Sequence, residues 1–156
     1  MAQSTAYFFY RTPFGSITLC SDGLAINKLL FGEHKQPGQL KPLEITNTAA
    51  TEILEYFSGK RSVFDLPLAP AGSEFQKMVW KALDNIPYGQ TRTAAELGEI
   101  IGKPTALRAI GTALAQNPIP ILIPSHRIVT PRGKALGTGN QTTWKTALLE
   151  LERRNS

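Results

Sequence analysis

Apolar and polar positions divide the chain into two stretches with different periods. In the first, Gly15–Ser21 and Leu24–Phe31 alternate or run apolar on either side of Asp22-Gly23, a dipeptide suited to the positive φ angles of a tight turn, which predicts two antiparallel strands. After a polar loop from Gly32 to Pro42, the spacing of Ile53, Leu54 and Phe57 predicts an amphipathic helix over 48–58, with Gly59 as its stop. Val63–Leu66 reads as an edge strand before Pro67, and Leu68–Gly72 as a linker. The expected division is an N-terminal α+β domain over 1–69 and a C-terminal domain over 70–156.

The second stretch has helical periodicity. Ser73 and Gln76 have capping-box spacing, and Phe75, Met78, Val79, Ala82, Leu83 and Ile86 recur at helical intervals until Pro87-Tyr88-Gly89 interrupts them. Trp80 reads as packing. Thr93 and Glu96 form a second capping box, opening a helix that stops at Gly102; Pro104 suits the first turn of another, running to about Gln116. On that helix Leu107, Ile110 and Leu114 share a face and leave Thr105, Arg108 and Thr112 outside it, while small residues keep it slim. A helix-turn-helix of this kind can enter a DNA groove, and it is also a common way to pack two helices. A last amphipathic helix over about 143–153 would bury Trp144, Ala147, Leu148 and Leu151, with Glu152 near its end either solvated or partnered with His126.

Pro118–Val129 is the organising stretch: a short apolar run closed off by prolines that ends in Ser125-His126-Arg127. It reads either as a core strand ending in a solvated turn or as buried backbone delivering a hydroxyl, an imidazole and a guanidinium to a site. Elsewhere His34 reads as solvated. Cys20, inside the predicted hairpin without a cationic neighbour, reads as packing.

Charge sharpens the division. Residues 1–69 hold six Lys/Arg and six Asp/Glu, whereas 70–156 hold eleven and six, so the whole net charge of +5 lies in the second half and favours polyanions there. One cysteine excludes an intramolecular disulfide and a cysteine-pair zinc site, and neither a metal nor a cofactor is expected. No apolar run reaches the ~18 residues of a membrane span, and Met1–Thr5 lacks a signal-like pattern, so an intracellular location is expected.

Phe75-Gln76 with Val79-Trp80, Ile86-Pro87-Tyr88-Gly89, Ile101-Gly102-Lys103-Pro104, Arg108-Ala109-Ile110-Gly111, Asn117-Pro118, Ile123-Pro124-Ser125-His126-Arg127-Ile128 and Leu148-Leu149-Glu150-Leu151-Glu152 occur in order. From Gly72 to Glu152 the chain thereby resembles the O6-alkylguanine-DNA alkyltransferases. The first half is similar more weakly, through Thr12-Pro13-Phe14-Gly15 and the hairpin. The resemblance implies an α+β fold: an N-terminal domain with a hairpin-based antiparallel sheet, then a helical, winged-helix-like DNA-binding domain. The implied chemistry transfers an alkyl group from guanine O6 to a cysteine, on a base flipped out of the duplex.

In that family the cysteine occupies the position of Ser125, and a hydroxyl, far less acidic than a thiol, is a poor nucleophile for alkyl displacement. Two further departures accompany it: Ala94 stands where the family has a phosphate-holding tyrosine, and Gly137–Gln141 replaces its Gly-Tyr-(Ala/Ser)-Gly-Gly pocket loop. By resemblance, Arg108 is the finger that fills the space of the flipped base, and Asn117, His126 and Glu152 surround residue 125. Thr93, Ala94, Thr105, Gln116 and Arg127 contact DNA, and Pro124, Thr138, Gly139 and Asn140 line the base pocket.

The leading functional expectation is a monomeric protein that binds double-stranded DNA carrying O6-alkylguanine without transferring the alkyl group and hands it to a downstream repair protein. Two alternatives stand beside it: an inactivated Cys-to-Ser variant of a methylated-DNA–protein-cysteine methyltransferase, and a serine-dependent transferase or hydrolase using Ser125 and His126.

Overall fold

The computed structural model describes residues 5–137 and 139–156, in two compact units that divide between Ala71 and Gly72. Thr138, expected in the base pocket, lies outside the described residues.

The N-terminal unit is an α+β structure in which β1 (Ala6–Thr12), β2 (Gly15–Ser21), β3 (Ile26–Phe31) and β4 (Gln39–Leu40) form one sheet in the order β3-β2-β1-β4. β1 and β2 pair antiparallel from Ala6 opposite Ser21 to Thr12 opposite Gly15. The Asp22-Gly23 turn forms as its chemistry demands: the Asp22 carboxylate accepts from the Leu24 and Ala25 amides, and Gly23 takes φ +95°. β2 is central, so Ile17–Ser21 are buried throughout, and the Thr18 and Ser21 hydroxyls donate to the carbonyls of Gly32 and Ala25. Cys20 is buried here, and burial pushes its thiol pKa up, as a packing residue requires.

Helix α1 (Glu44–Phe57) starts earlier than the periodicity predicts, closed at its N-terminus by Thr46, whose hydroxyl accepts from the Leu43 amide at 2.9 Å. Its buried residues are Thr46, Ala49, Ala50, Glu52, Ile53 and Tyr56, so that of the predicted face Ile53, Leu54 and Phe57 only Ile53 is buried. Leu54 is exposed, and Phe57 stacks edge-on against Phe14. Val63–Leu66 forms no strand. The chain instead makes a single bridge at Leu68, whose neighbours Pro67 and Ala69 exchange backbone hydrogen bonds with Ile26.

The C-terminal unit is built from α2 (Glu74–Leu83), β5 (Arg92–Thr93), α3 (Ala94–Ile100), α4 (Leu107–Ala115), β6 (Ile128–Val129) and α5 (Asn140–Asn155). Both predicted capping boxes form, with the Gln76 amide donating to Ser73 Oγ at 3.1 Å and the Glu96 amide to Thr93 Oγ1 at 3.2 Å. Trp80 is buried and donates its indole N–H to the Ala113 carbonyl at 2.8 Å, tying α2 to α4. Met78 and Leu107, both assigned to core faces by periodicity, are exposed. Each lies on the rim of its helix, where only the middle of the apolar stripe finds a partner. Gly98 makes the α3–α4 pair possible: a Cβ there would lie 3.1 Å from the Lys103 carbonyl oxygen and 3.3 Å from Ile110. Pro104 falls in the connecting turn, closed by the Ala106 amide donating to the Lys103 carbonyl, and not in the first turn of α4.

β5 and β6 pair in parallel, Arg92 with Ile128 and Thr93 with Val129. This short ladder joins the start of the helix-turn-helix to the residue after Arg127. α5 is longer than its pattern predicts, and its buried positions are Lys145, Leu148, Leu151 and Glu152. Trp144 and Ala147 are only half-buried. No helix among the described residues is long and apolar enough to cross a membrane.

Candidate functional site

The stretch leaving α4 forms a buried turn rather than a strand, and a single side chain closes it. Asn117 Nδ2 donates to the Ile123 carbonyl at 2.9 Å and to Ser125 Oγ at 3.0 Å, while its Oδ1 accepts from the Ile119 amide at 2.9 Å. Within this loop Ile121 takes φ +73°, a left-handed conformation that costs a β-branched residue ~1–3 kcal/mol and persists only where surrounding contacts impose it. Pro124, at φ −80° and ψ 62°, centres an inverse γ-turn in which the Ser125 amide donates to the Ile123 carbonyl at 2.8 Å. Ser125–Arg127 then make one 3₁₀ turn. The prolines and the asparagine thus convert an apolar run into a rigid pedestal, with Ser125 1% and His126 0% exposed.

Glu152 reaches this pedestal from the last turns of α5. Its Oε2 accepts from His126 Nε2 at 2.6 Å and Arg127 Nη2 at 3.0 Å; its Oε1 accepts from Arg127 Nε at 2.9 Å and the Gly89 amide at 3.1 Å. Burial opposes the charge, but these donors win and hold the carboxyl at a pKa of about 2. Complete burial pushes the His126 pKa down and outweighs the Glu152 carboxylate, with smaller contributions in the same direction from the positive charges of Arg127 and Lys145. The pair is therefore an ionised Glu152 accepting from a neutral imidazole, with Nε2 as its N–H. That leaves Nδ1 as the ring nitrogen without a proton.

Arg127, expected to contact DNA, has its guanidinium engaged inside the unit. Its guanidinium points inward, bonded to Glu152 on two nitrogens and to the Ile86 carbonyl through Nη1 at 2.8 Å, and it lies 5.8 Å from the Tyr88 ring centroid. At 8% exposure it braces Glu152 and the Ile86–Gly89 turn. Its Arg-carboxylate fork was visible in sequence only as an Arg beside a His, with nothing to tell an inward from an outward side chain.

The other candidates fall on two surfaces. Thr105, Arg108 and Gln116 are exposed on or beside α4, and Thr93 and Ala94 are half-buried at the start of α3. Arg108 lines an open groove of about 600 Å³ with Phe75, Gln76 and Thr112, and Gln116 accepts from Gln76 Nε2 at 2.6 Å across it. Pro124 is buried in the pedestal, while Gly139 and Asn140 are exposed at the start of α5. Lys145, which periodicity did not single out, is 2% exposed on the α5 face that carries Glu152. Its seven-residue offset from Glu152, two helical turns, is the signal that would have found it.

The arrangement is suited to an anion at position 125. An amide N–H aimed at the side-chain heteroatom, a rigid turn and a neutral imidazole backed by a carboxylate would together favour a thiolate. A serine hydroxyl in the same place accepts the same hydrogen bond without becoming appreciably nucleophilic.

Profile comparison matches residues 74–154 to the 6-O-methylguanine DNA methyltransferase DNA-binding domain and residues 5–70 to the ribonuclease-like domain of the same enzymes. The chain belongs to the O6-methylguanine-DNA methyltransferase family. Among its relatives, the methylated-DNA–protein-cysteine methyltransferase of Methanosarcina barkeri is 43% identical over 154 residues, covering 96% of this chain and 98% of that one. The constitutive enzyme of Bacillus subtilis is 33% identical over 156 residues, covering 94% of each chain. In structure, the Mycobacterium tuberculosis family member crystallised in complex with DNA superposes with a TM-score of 0.88 at 37% identity, covering 97% of this chain and 94% of that one. The α+β fold with a helical C-terminal unit is that of the family.

Proposed function

We propose that this member of the methyltransferase family binds O6-alkylguanine in duplex DNA, inside the cell, and retains it without accepting the alkyl group. The observation that carries the reading is Ser125, whose hydroxyl sits on the Asn117 amide beside the His126–Glu152 pair, where an alkyl acceptor would stand. Transfer would form a bond from the side-chain atom of residue 125 to the alkyl carbon and break the carbon–O6 bond, with the acceptor's proton leaving through His126. A serine keeps that proton at neutral pH, so the bound lesion persists and can be passed to other repair proteins. DNA complexation by the M. tuberculosis relative supports the choice of ligand, as does the concentration of positive charge in the C-terminal unit.

Arg108 is assigned the finger that enters the space of the flipped base, from an exposed position on a slim helix. Binding to duplexes with guanine or O6-methylguanine at one site, at fixed salt, tests the reading. A preference for the lesion, reduced ~5- to 100-fold in affinity by Arg108→Ala, is the expected result. Equal affinity for both duplexes would overturn it.

A second reading, an alkyltransferase inactivated at one atom, is favoured by the completeness of the Asn117–His126–Glu152 network around Ser125. It requires Ser125→Cys alone to accept a methyl group from O6-methylguanine, seen as a 14 Da gain on that residue by mass spectrometry, a mass that follows from replacing S–H by S–CH₃ (~14 Da).

A further inference from the structure

The capping box that starts α2 sets the orientation of a side chain at the end of α4. The Ser73 amide, a donor that cannot be reversed, donates to Gln76 Oε1 at 3.0 Å, which leaves Nε2 as the other arm of the Gln76 amide. Nε2 donates to Gln116 Oε1 at 2.6 Å, so the oxygen of Gln116 is occupied in its turn. What remains is the Gln116 amino group, on an exposed residue and with no partner among the described residues. Gln76 lines the same groove as Arg108 and Thr112, and Arg108, Thr112 and Gln116 follow one another at four-residue intervals along one side of α4 and its C-cap. Ala109, Gly111 and Ala115, also exposed, add little bulk.

We propose that Gln116 is a sequence-reading residue that favours A·T over G·C pairs a few steps from the lesion, and that Gln76 is the positioning residue that gives it this preference. The inference rests on the reading of α4 as the helix that carries the finger Arg108 into duplex DNA. A side chain that takes the place of an extruded base is a wedge, and wedges of this kind enter from the minor groove. There A·T and T·A pairs present only acceptors, whereas G·C adds the guanine amino donor. An amide whose oxygen is tied down offers donors alone, so it bonds to adenine N3 or thymine O2 and meets the guanine amino group as donor against donor. Eight residues separate Gln116 from Arg108, ~12 Å along the helix axis, which corresponds to ~3 to 4 base pairs.

The test uses the full chain at fixed salt, with duplexes carrying guanine or O6-methylguanine at one site. The pairs about two to five steps to either side are all A·T, all G·C or all hypoxanthine·cytosine, the last keeping the major-groove acceptors of G·C and lacking its minor-groove amino group. The A·T and hypoxanthine·cytosine duplexes are expected to bind ~3- to 10-fold more tightly than the G·C duplex. Gln116→Ala should bring that ratio close to one. Gln76→Glu keeps the capping box but replaces the donor facing Gln116 with an acceptor; Gln116 then turns its amino group to the carboxylate and presents its oxygen, and the preference should reverse toward G·C. A wild-type ratio near one, or a ratio that either substitution leaves unchanged, would overturn the inference, while tighter binding of O6-methylguanine than of guanine would still support the lesion reading. Equal affinity for lesion and unmodified duplexes with the A·T preference intact would overturn the lesion reading alone, and no binding to any duplex would overturn both.

Discussion

Each unit of the protein buries a glutamate against an arginine, and the two pairs differ in almost every other respect. Glu52, on α1, lies 3.6 Å from Arg61 and accepts from the Asp65 amide at 3.1 Å; the Arg61 side chain is 30% exposed and shared with Glu55. Glu152, on α5, is 2% exposed and accepts from two side chains and a backbone amide, drawn from the pedestal and the Ile86–Gly89 turn. The first pins a loop to its own neighbouring helix across 13 residues. The second ties together segments 25 to 63 residues apart, and one of its partners is the imidazole beside Ser125. A buried carboxylate whose cation is still open to water contributes a modest restraint, whereas one enclosed by donors is itself held ionised.

The largest effect that would test this contrast is Glu152→Gln. Removing the charge leaves the Arg127 guanidinium buried without its counterion, and the expected loss is ~3 to 5 kcal/mol in urea unfolding, against ~1 kcal/mol for Glu52→Gln. Comparable losses at the two sites would erase the distinction.

Acid titration sharpens it. Glu152 is held at about 2 in the folded protein against an ordinary 4.5, so its contribution of ~3 kcal/mol is complete above pH 4.5 and lost as pH falls from there toward 2. His126 acts in the same direction at higher pH: with its folded pKa below 6.5, the unfolded chain takes up the proton first, and stability falls as pH drops below 6.5. Stability measured from pH 7 to pH 3 should therefore decline in two stages, and His126→Gln should remove the earlier one. A flat profile between pH 7 and 5 in the wild type would contradict a neutral buried imidazole.

Smaller effects follow around the pedestal. Ser125→Ala deprives the Asn117 amide of one of its two acceptors and should cost ~1 kcal/mol, read as a shift in the urea midpoint at unchanged slope. Arg108→Ala should change stability by less than ~0.5 kcal/mol, because the side chain is exposed. A large destabilisation there would make Arg108 a structural residue and remove the reason to assign it to DNA.

Local signals were the legible ones. The Asp22-Gly23 turn and the two capping boxes were readable because each is decided by residues within four positions of one another. The family motifs around Ser125 were readable as an ordered set. The phase of a helix stripe was less so: α1 buries Ala49 and Tyr56 where periodicity favoured Leu54 and Phe57, and α5 buries Lys145 where it favoured Trp144. Hydrophobicity ranks the faces of an isolated helix, but the neighbouring elements decide which face is covered. The first strand, Ala6–Thr12, was missed because its continuous apolar and aromatic run lacks the alternation of a half-buried strand.

The chain's amino acids alone determined that there would be an α+β unit followed by a basic helical one, that position 125 would carry a hydroxyl, and that no intramolecular disulfide could form. These follow from composition and from contacts between near neighbours. Whether Glu152 was solvated or the partner of His126, whether Arg127 faced DNA or the interior, and whether Lys145 lay at the surface or inside were decided only by the fold. The reason is common to all three: a charged side chain is inherently at home in water, and only donors and acceptors brought from distant parts of the chain can hold it out of water.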